Sequence, residues 1–299
     1  MNQSSRNLLS SGPTARLLLF LLLLSSQLLL SQSTGGDASH NSPRGALHVA
    51  FEKGNLMVAL SGVEWRPGLN MAVASLETGK TISLNVSLLA NTNYVFIAAT
   101  IDNGDDTDLY LRDSSGVIVS EDQEPDATPI LEFRTARAGI YQLQVHLVSS
   151  KRPRNFVALS LLRSGGRSII EGEYQEVATS FFNSVDDVKK AYFETRWQAT
   201  PTQWCAFGYS LSENEGSSLL GLRPGPGQKI IAASGSQNLR KIDLYLANEA
   251  QQIIAMDNGP DAFPLISYDT PAGASLDLRV EVERGKIPSF LLVGILEKQ

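Results

Sequence analysis

The chain has 299 residues, with 25 basic and 31 acidic side chains for a net charge of −6, and 42% hydrophobic against 19% charged residues. That balance suits a folded globular protein of about two domains and excludes a general nucleic-acid binder, which needs clustered positive charge. One cysteine, Cys205, excludes an intramolecular disulfide framework and a multi-cysteine zinc site. Three histidines, His40, His48 and His146, leave little room for histidine chemistry.

Residues 1–16 carry Arg6 and Arg16 and no acid; Leu17 to Leu30 is apolar except for Ser25, Ser26 and Gln27; small and polar residues follow from Ser31 to Gly36. A basic start, a short apolar run and a small-residue exit predict a secretory signal peptide over 1–33. The run is short for a spanning helix, which needs about 20 apolar residues; an uncleaved signal anchor is the alternative. Cleavage places the mature start near Thr34 and takes the charge from −6 to −8, because two arginines and no acid are lost. A polar linker over 34–44 leads into the fold. The predicted location is secreted, periplasmic or in the cell envelope, with membrane contact only if the signal segment is retained. Cys205, unpaired in an oxidising compartment, is expected to be buried as a small hydrophobe.

An offset of 135 residues lays the chain over itself. Asp108-Leu109-Tyr110-Leu111 falls on Asp243-Leu244-Tyr245-Leu246, and Asp122, Pro125, Asp126, Ala127 and Pro129 fall on Asp257, Pro260, Asp261, Ala262 and Pro264. Without a gap, 16 of the 56 positions from 108 to 163 are identical, where chance gives roughly three or four. Ser75-Leu76 falls on Ser210-Leu211, so the unit extends upstream. A period of this length is a domain, not a solenoid repeat. The expected division is a first β-sandwich domain over 45–165 and a second over 166–299.

Within the first copy, Ile82, Leu84, Val86 and Leu88 alternate with Thr81, Ser83, Asn85 and Ser87, and Tyr141, Leu143, Val145 and Leu147 alternate with Gln142, Gln144 and His146. Period two marks half-buried strands. The offset carries the second set onto Leu276, Leu278, Val280 and Val282, which keeps the buried face; a one-residue slip would invert it. Further strands are predicted at 94–101, 108–112, 117–121, 130–134 and 155–162, with counterparts at 229–234, 243–247, 252–256, 265–268 and 289–296. Short strands with Gly, Asn, Asp and Pro at the joints predict a mainly β protein: two tandem antiparallel, jelly-roll-like sandwiches related by duplication. Pro153 and Pro288 are expected to interrupt edge pairing. Over 171–197 the pattern turns helical. Ser184 and Asp187 resemble a helix start, and Val185, Val188, Tyr192 and Thr195 follow on one side.

On Asp106-Thr107-Asp108-Leu109-Tyr110-Leu111, Gly116, the acidic loop at Asp122 and Gly139-Ile140-Tyr141-Gln142-Leu143-Gln144-Val145, each core resembles the bacterial pre-peptidase C-terminal domain, a small β-sandwich of exported proteins. The resemblance covers roughly 76–162 and, with Ala274 and Leu276 in place of Gly139 and Tyr141, roughly 211–296. The resemblance implies an accessory, usually non-catalytic role, sometimes with calcium in acidic loops.

The loop from Asp102 to Asp108 is the richest chemical feature. Asp102, Asp105, Asp106 and Asp108 are candidate calcium ligands, since calcium takes six to eight oxygens; Ser114 stands where an EF-hand would need Glu, and acids are ordinary turn formers. The repeated Asp-x-x-Pro-Asp-Ala-x-Pro loop predicts a structural turn. No Gly-x-Ser-x-Gly, His-Glu-x-x-His or phosphate-binding Gly-Lys-Ser/Thr pattern is present. Trp65, Trp197 and Trp204 are expected in the core, with a sugar-stacking platform as the alternative. The functional expectation is an exported, non-catalytic protein of two modules that binds a protein or a polysaccharide, or spaces surface components. The alternative is a secreted hydrolase with a carboxylate-lined site between the modules.

Overall fold

The computed structural model describes residues 41–192, 194–198, 203–285 and 289–298. The signal segment, most of the linker and Pro288 lie outside the described residues. The first copy comprises helix α1 (Pro43–Ser61) and strands β1 (Glu64–Trp65), β2 (Gly68–Glu77), β3 (Thr81–Leu88), β4 (Asn93–Thr100), β5 (Asp106–Arg112), β6 (Ile118–Asp122), β7 (Ile130–Arg134), β8 (Gly139–Ser149) and β9 (Arg154–Arg163). The second comprises α2 (Glu171–Ala191), β10 (Thr195–Trp197), β11 (Gln203–Leu211), β12 (Glu215–Leu222), β13 (Gly227–Gly235), β14 (Leu239–Asn248), β15 (Ile253–Asp257), β16 (Leu265–Thr270), β17 (Leu276–Gly285) and β18 (Ser289–Lys298). Among the described residues no helix is long and apolar enough to cross a membrane.

Every pairing between strands is antiparallel, and the copies share their inner layer. One sheet runs β16-β13-β18-β11-β2-β9-β4-β7, with β1 on β9 and β10 on β18. Two four-stranded sheets, β3-β8-β5-β6 and β12-β17-β14-β15, form the outer layer. Leu69, Ala72, Ala74 and Leu76 of β2, and Trp204, Phe207, Tyr209 and Leu211 of β11, join the outer sheets in one continuous apolar core. The opposite face of the shared sheet takes the helices: α1 lies on β2, β4 and β9, and α2 on β13 and β18. The Ser160 hydroxyl on that face donates to the Ala50 carbonyl in α1 at 2.8 Å.

The duplication is visible in the registers. Leu143 stands opposite Leu84 and Leu111, and Leu278 opposite Leu219 and Leu246, which are the same places at the 135-residue offset. The junction strands are self-complementary as well. Gln203 pairs Ser75 and Ser210 pairs Gly68; Trp204 pairs Ala74 and Tyr209 pairs Leu69. Each couple is one contact seen from the two copies, as in an isologous two-fold interface. Two register shifts fall at equivalent sites, leaving Asn70 and Cys205 as the extra residues. Such bulges reset the face on which following side chains emerge. One detail breaks the symmetry: Asn70 Nδ2 donates to Ser210 Oγ at 2.8 Å, whereas the buried Ser75 hydroxyl opposite Cys205's side of the junction has no partner.

The gapless alignment needs one correction. Trp65 pairs Leu162 and Trp197 pairs Leu296, and the core-facing sets are Val157, Leu159, Leu161 and Leu291, Val293, Ile295. The offset therefore drops by one residue in the last strand, since β17 and β18 are separated by one residue fewer than β8 and β9.

Four further expectations change. The linker ends earlier than Arg44: α1 begins at Pro43, and the Ser42 side chain accepts from the Gly45 amide at 3.1 Å. Helix α2 begins at Glu171, not near Ser184; its N-cap, Ile170, makes no side-chain cap. Thr195 belongs to β10. Pro153 does not guard an outer edge, since it precedes the interior strand β9 and its carbonyl accepts from Thr78. Pro129 and Pro264 do enter edge strands, β7 and β16, and their carbonyls accept from Ala98 and Ala233.

The segment joining the copies is clamped by Arg167. Its guanidinium donates to Glu215 at 2.8 and 2.7 Å and to the Ser210 carbonyl at 3.2 Å. Hydrogen bonds from Arg167, then from the Ser212 amide, hold the Glu215 carboxyl below its usual range. A depressed carboxylate contributes stability above its unfolded value and loses it as pH falls through the folded value. Glu215→Gln is therefore expected to shrink the loss of stability between pH 5 and pH 3, read as urea midpoints. An identical fall in variant and wild type would refute the clamp's ionic contribution.

Candidate functional site

In the acidic loop Asp102, Asp105 and Asp108 turn to different partners, while Asp105 Oδ1 and Asp106 Oδ1 are buried without one. Asp102 Oδ1 accepts from the Gly104 amide at 3.0 Å. Asp105, almost fully buried, accepts from Asn155 Nδ2 at 2.6 Å. Asp108 Oδ2 accepts from the Tyr110 hydroxyl at 2.7 Å and lies 3.5 Å from His146 Nδ1. Burial and then the charge of Asp108 push Asp106 up, with His146 opposing. Burial and the bond to Asp108 push Tyr110 up to about 12. The Lys151 ammonium lies against Gly104. Among the described residues no group of three or more His, Cys, Asp or Glu is placed to hold a metal ion. With Asp102, Asp105 and Asp108 already accepting from protein donors, calcium and a chelator are expected to give coincident melting curves, because only a ligand that prefers the native state raises Tm. A calcium-dependent rise removed by Asp105→Asn or Asp108→Asn would establish the loop as a metal site.

In the second copy the same place is rebuilt with other charges. Asp243 keeps the bond from Tyr245, at 3.3 Å, but Lys241 stands for Asp106 and pairs with Glu283 and Asp243. Glu281 stands for His146 and pairs with Arg279.

The repeated proline loop is a closure device. Asp122 accepts from the amides of Glu124 at 3.1 Å and Ile130 at 2.9 Å; Asp257 accepts from Gly259 at 3.0 Å and Leu265 at 2.8 Å. Asp126 and Asp261 each accept from the amide two residues on, and their carbonyls take the amides of Thr107 and Ile242. Both carboxylates are thus spent within the turn, as Asx geometry permits.

The other singled-out residues are structural. Cys205 is fully buried, and burial pushes its thiol up, the reverse of an activated nucleophile. Trp65 stacks on Phe51 and donates to Asn55 at 3.0 Å; Trp197 packs on Phe181 and Phe182 with the Lys189 ammonium over its ring. His48, on α1, lies 3.3 Å from Glu52.

A cleft of about 260 Å³ lies where the outer sheets meet, between the edges of β3 and β12. Thr81–Asn85 form one wall and Leu219–Arg223 the other, with Gln203 and Trp204 between them. Trp204, 5% exposed, reaches across the copies and donates from Nε1 to the Ser83 carbonyl at 2.8 Å. The second wall is bent. Between Leu219 and Leu222 the β12–β17 register shifts, Gly221 adopts φ +68°, and its amide donates to Asp277 at 2.8 Å. β3 runs in unbroken register on β8, so the opening arises from a difference between the copies. Sequence reading missed this cleft: only the alternation of β3 was visible.

No family model matches the chain, and no curated protein matches it. Solved structures align at low similarity. The PBSX exported protein XepA is 9% identical with a TM-score of 0.23, over 75% of this chain and 84% of its own. The CBM22-1-CBM22-2 tandem of Paenibacillus barcinonensis Xyn10C is 9% identical with a TM-score of 0.21, over 78% and 99%. The secreted serine protease VesC of Vibrio cholerae is 12% identical with a TM-score of 0.23, over 83% and 53%. Likeness at this level transfers neither fold nor activity.

Proposed function

We propose that the protein is exported and serves, without catalysis of its own, as a binding or structural component of the cell envelope or its surroundings, built of two modules like the pre-peptidase C-terminal domain. The observation that carries this reading is the cleft at the junction of the copies. Its walls offer hydroxyls, amides, leucines and one guanidinium, and no carboxylate or histidine stands among its described lining. Such groups hold a ligand, whereas hydrolysis needs an acid or base in reach of it. The carboxylate-lined site anticipated by the hydrolase alternative therefore has no support at this place. The basic and apolar leader favours export.

The test is retention. Mature protein is immobilised and exposed to native cell envelope, and the bound protein or polysaccharide is identified. Leu220→Asp and Asn85→Ala, both on the walls, are expected to reduce retention at unchanged Tm. Retention of nothing above a blank matrix would overturn the binding reading.

A further inference from the structure

Resting on that binding reading, we infer that the cleft takes an extended peptide carrying an acidic side chain, which adds to the open edge of β3 as an extra strand. The edge is identifiable from the bonds it already makes. Trp204 donates to the Ser83 carbonyl and Arg66 Nη2 to the Ser87 carbonyl at 3.1 Å. Those carbonyls point away from β8, and in an antiparallel ladder the amide and carbonyl of one residue share a side and alternate along the strand. Thr81 and Asn85 therefore turn both backbone groups to the cleft, and Ser83 turns its amide there. Arg66 stoppers the far end of the edge, anchored by a second bond to the Leu69 carbonyl at 2.6 Å. The near end, Thr81–Asn85, faces the cleft.

Main-chain pairing of this kind supplies affinity, and flanking side chains supply selectivity. Across the cleft the bulge turns out Leu220, 47% exposed, a seat for an apolar side chain. Arg223 is the one charge in the lining and is itself exposed. With no acid among the described lining residues, the complementary group on the peptide is a carboxylate. A stacked sugar fits worse, because the cleft's aromatic ring is buried and its indole nitrogen already bonded.

The probe is the capped peptide Thr-Val-Glu-Val-Thr-Val added to the full mature chain, with amide hydrogen exchange as the readout. Exchange at Thr81, Ser83 and Asn85 is expected to slow about tenfold, as for amides drawn into a ladder. The same peptide N-methylated at alternate residues should have no effect. Arg223→Gln should weaken the Glu peptide up to about fivefold and leave its Gln analogue unchanged. Ser83→Pro should abolish the protection at unchanged Tm, since an edge strand tolerates proline where its N–H faces outward. Unchanged exchange at saturating peptide, equal protection by the N-methylated peptide, or protection by a cello-oligosaccharide instead would each overturn the inference. The two readings fail separately: an envelope ligand retained equally by Ser83→Pro leaves the binding reading standing and sinks this one, while peptide protection without any envelope ligand does the opposite.

Discussion

Glu297→Leu is expected to destabilise the fold by about 3–5 kcal/mol, because it leaves a buried ammonium without its counter-ion. Lys229 and Glu297 face each other on neighbouring strands of the shared sheet. Nζ lies 3.0 Å from Oε2, and the two side chains are 4% and 7% exposed. Arg196 approaches the same carboxylate at 3.1 Å from the solvent side, so the loss also frees a surface charge, which matters little. The first copy has no such ion pair at the equivalent place, where Tyr94 faces Arg163 and the Tyr94 hydroxyl accepts from Leu89 at 2.8 Å. The fold therefore tolerates other chemistry here. Lys229→Met combined with Glu297→Leu should recover most of the loss, since apolar groups of similar volume commonly replace buried pairs at little cost. Urea midpoints of the two singles and the double close the cycle. A single variant within about 0.5 kcal/mol of wild type, the range of ordinary surface changes, would show that water reaches the pair and that it is not a buried one.

What the chain disclosed in advance follows from which faces are wet. β3 and β8 each have one solvent face, so their apolar residues alternate and could be read. β2 lies between α1 and the outer sheets, and β11 beside it is buried on both faces as well, so Leu69 to Leu76 and Trp204 to Leu211 are buried almost throughout. They show no alternation, and the bulges at Asn70 and Cys205 would break its phase in any case. The strands that join the copies were thus the least legible. Helix α1 did carry its signals, Ser42 before Pro43 and Gly62 in a left-handed C-cap. Its buried face includes Gly45, Lys53 and Gly54, however, and such residues blur an apolar stripe. Gly54 is there because a Cβ would lie 2.3 Å from the Trp65 ring, a tertiary constraint that local pattern does not express. The cleft was illegible for a related reason: its walls lie more than a hundred residues apart, and only the shared sheet brings them together.

That shared sheet also sets how the molecule should come apart. Two sandwiches joined by a linker would unfold separately, whereas here the apolar core runs unbroken from Ile82 to Ile295 through β2 and β11. Splitting the copies would strip the β2–β11 ladder, expose Trp204 and release the Arg167–Glu215 clamp. The expected result is a single cooperative transition for residues of both copies, with fluorescence and circular dichroism coincident, the usual test of two-state behaviour. Leu143→Ala and Leu278→Ala sharpen the test. Both side chains are fully buried, and they occupy equivalent places between equivalent neighbours. Each truncation should cost about 2–5 kcal/mol, by similar amounts, and each should move the whole transition rather than part of it. Two resolved transitions, with Leu143→Ala moving one and Leu278→Ala the other, would mean that the junction contributes less than either core and that the copies fold as independent units.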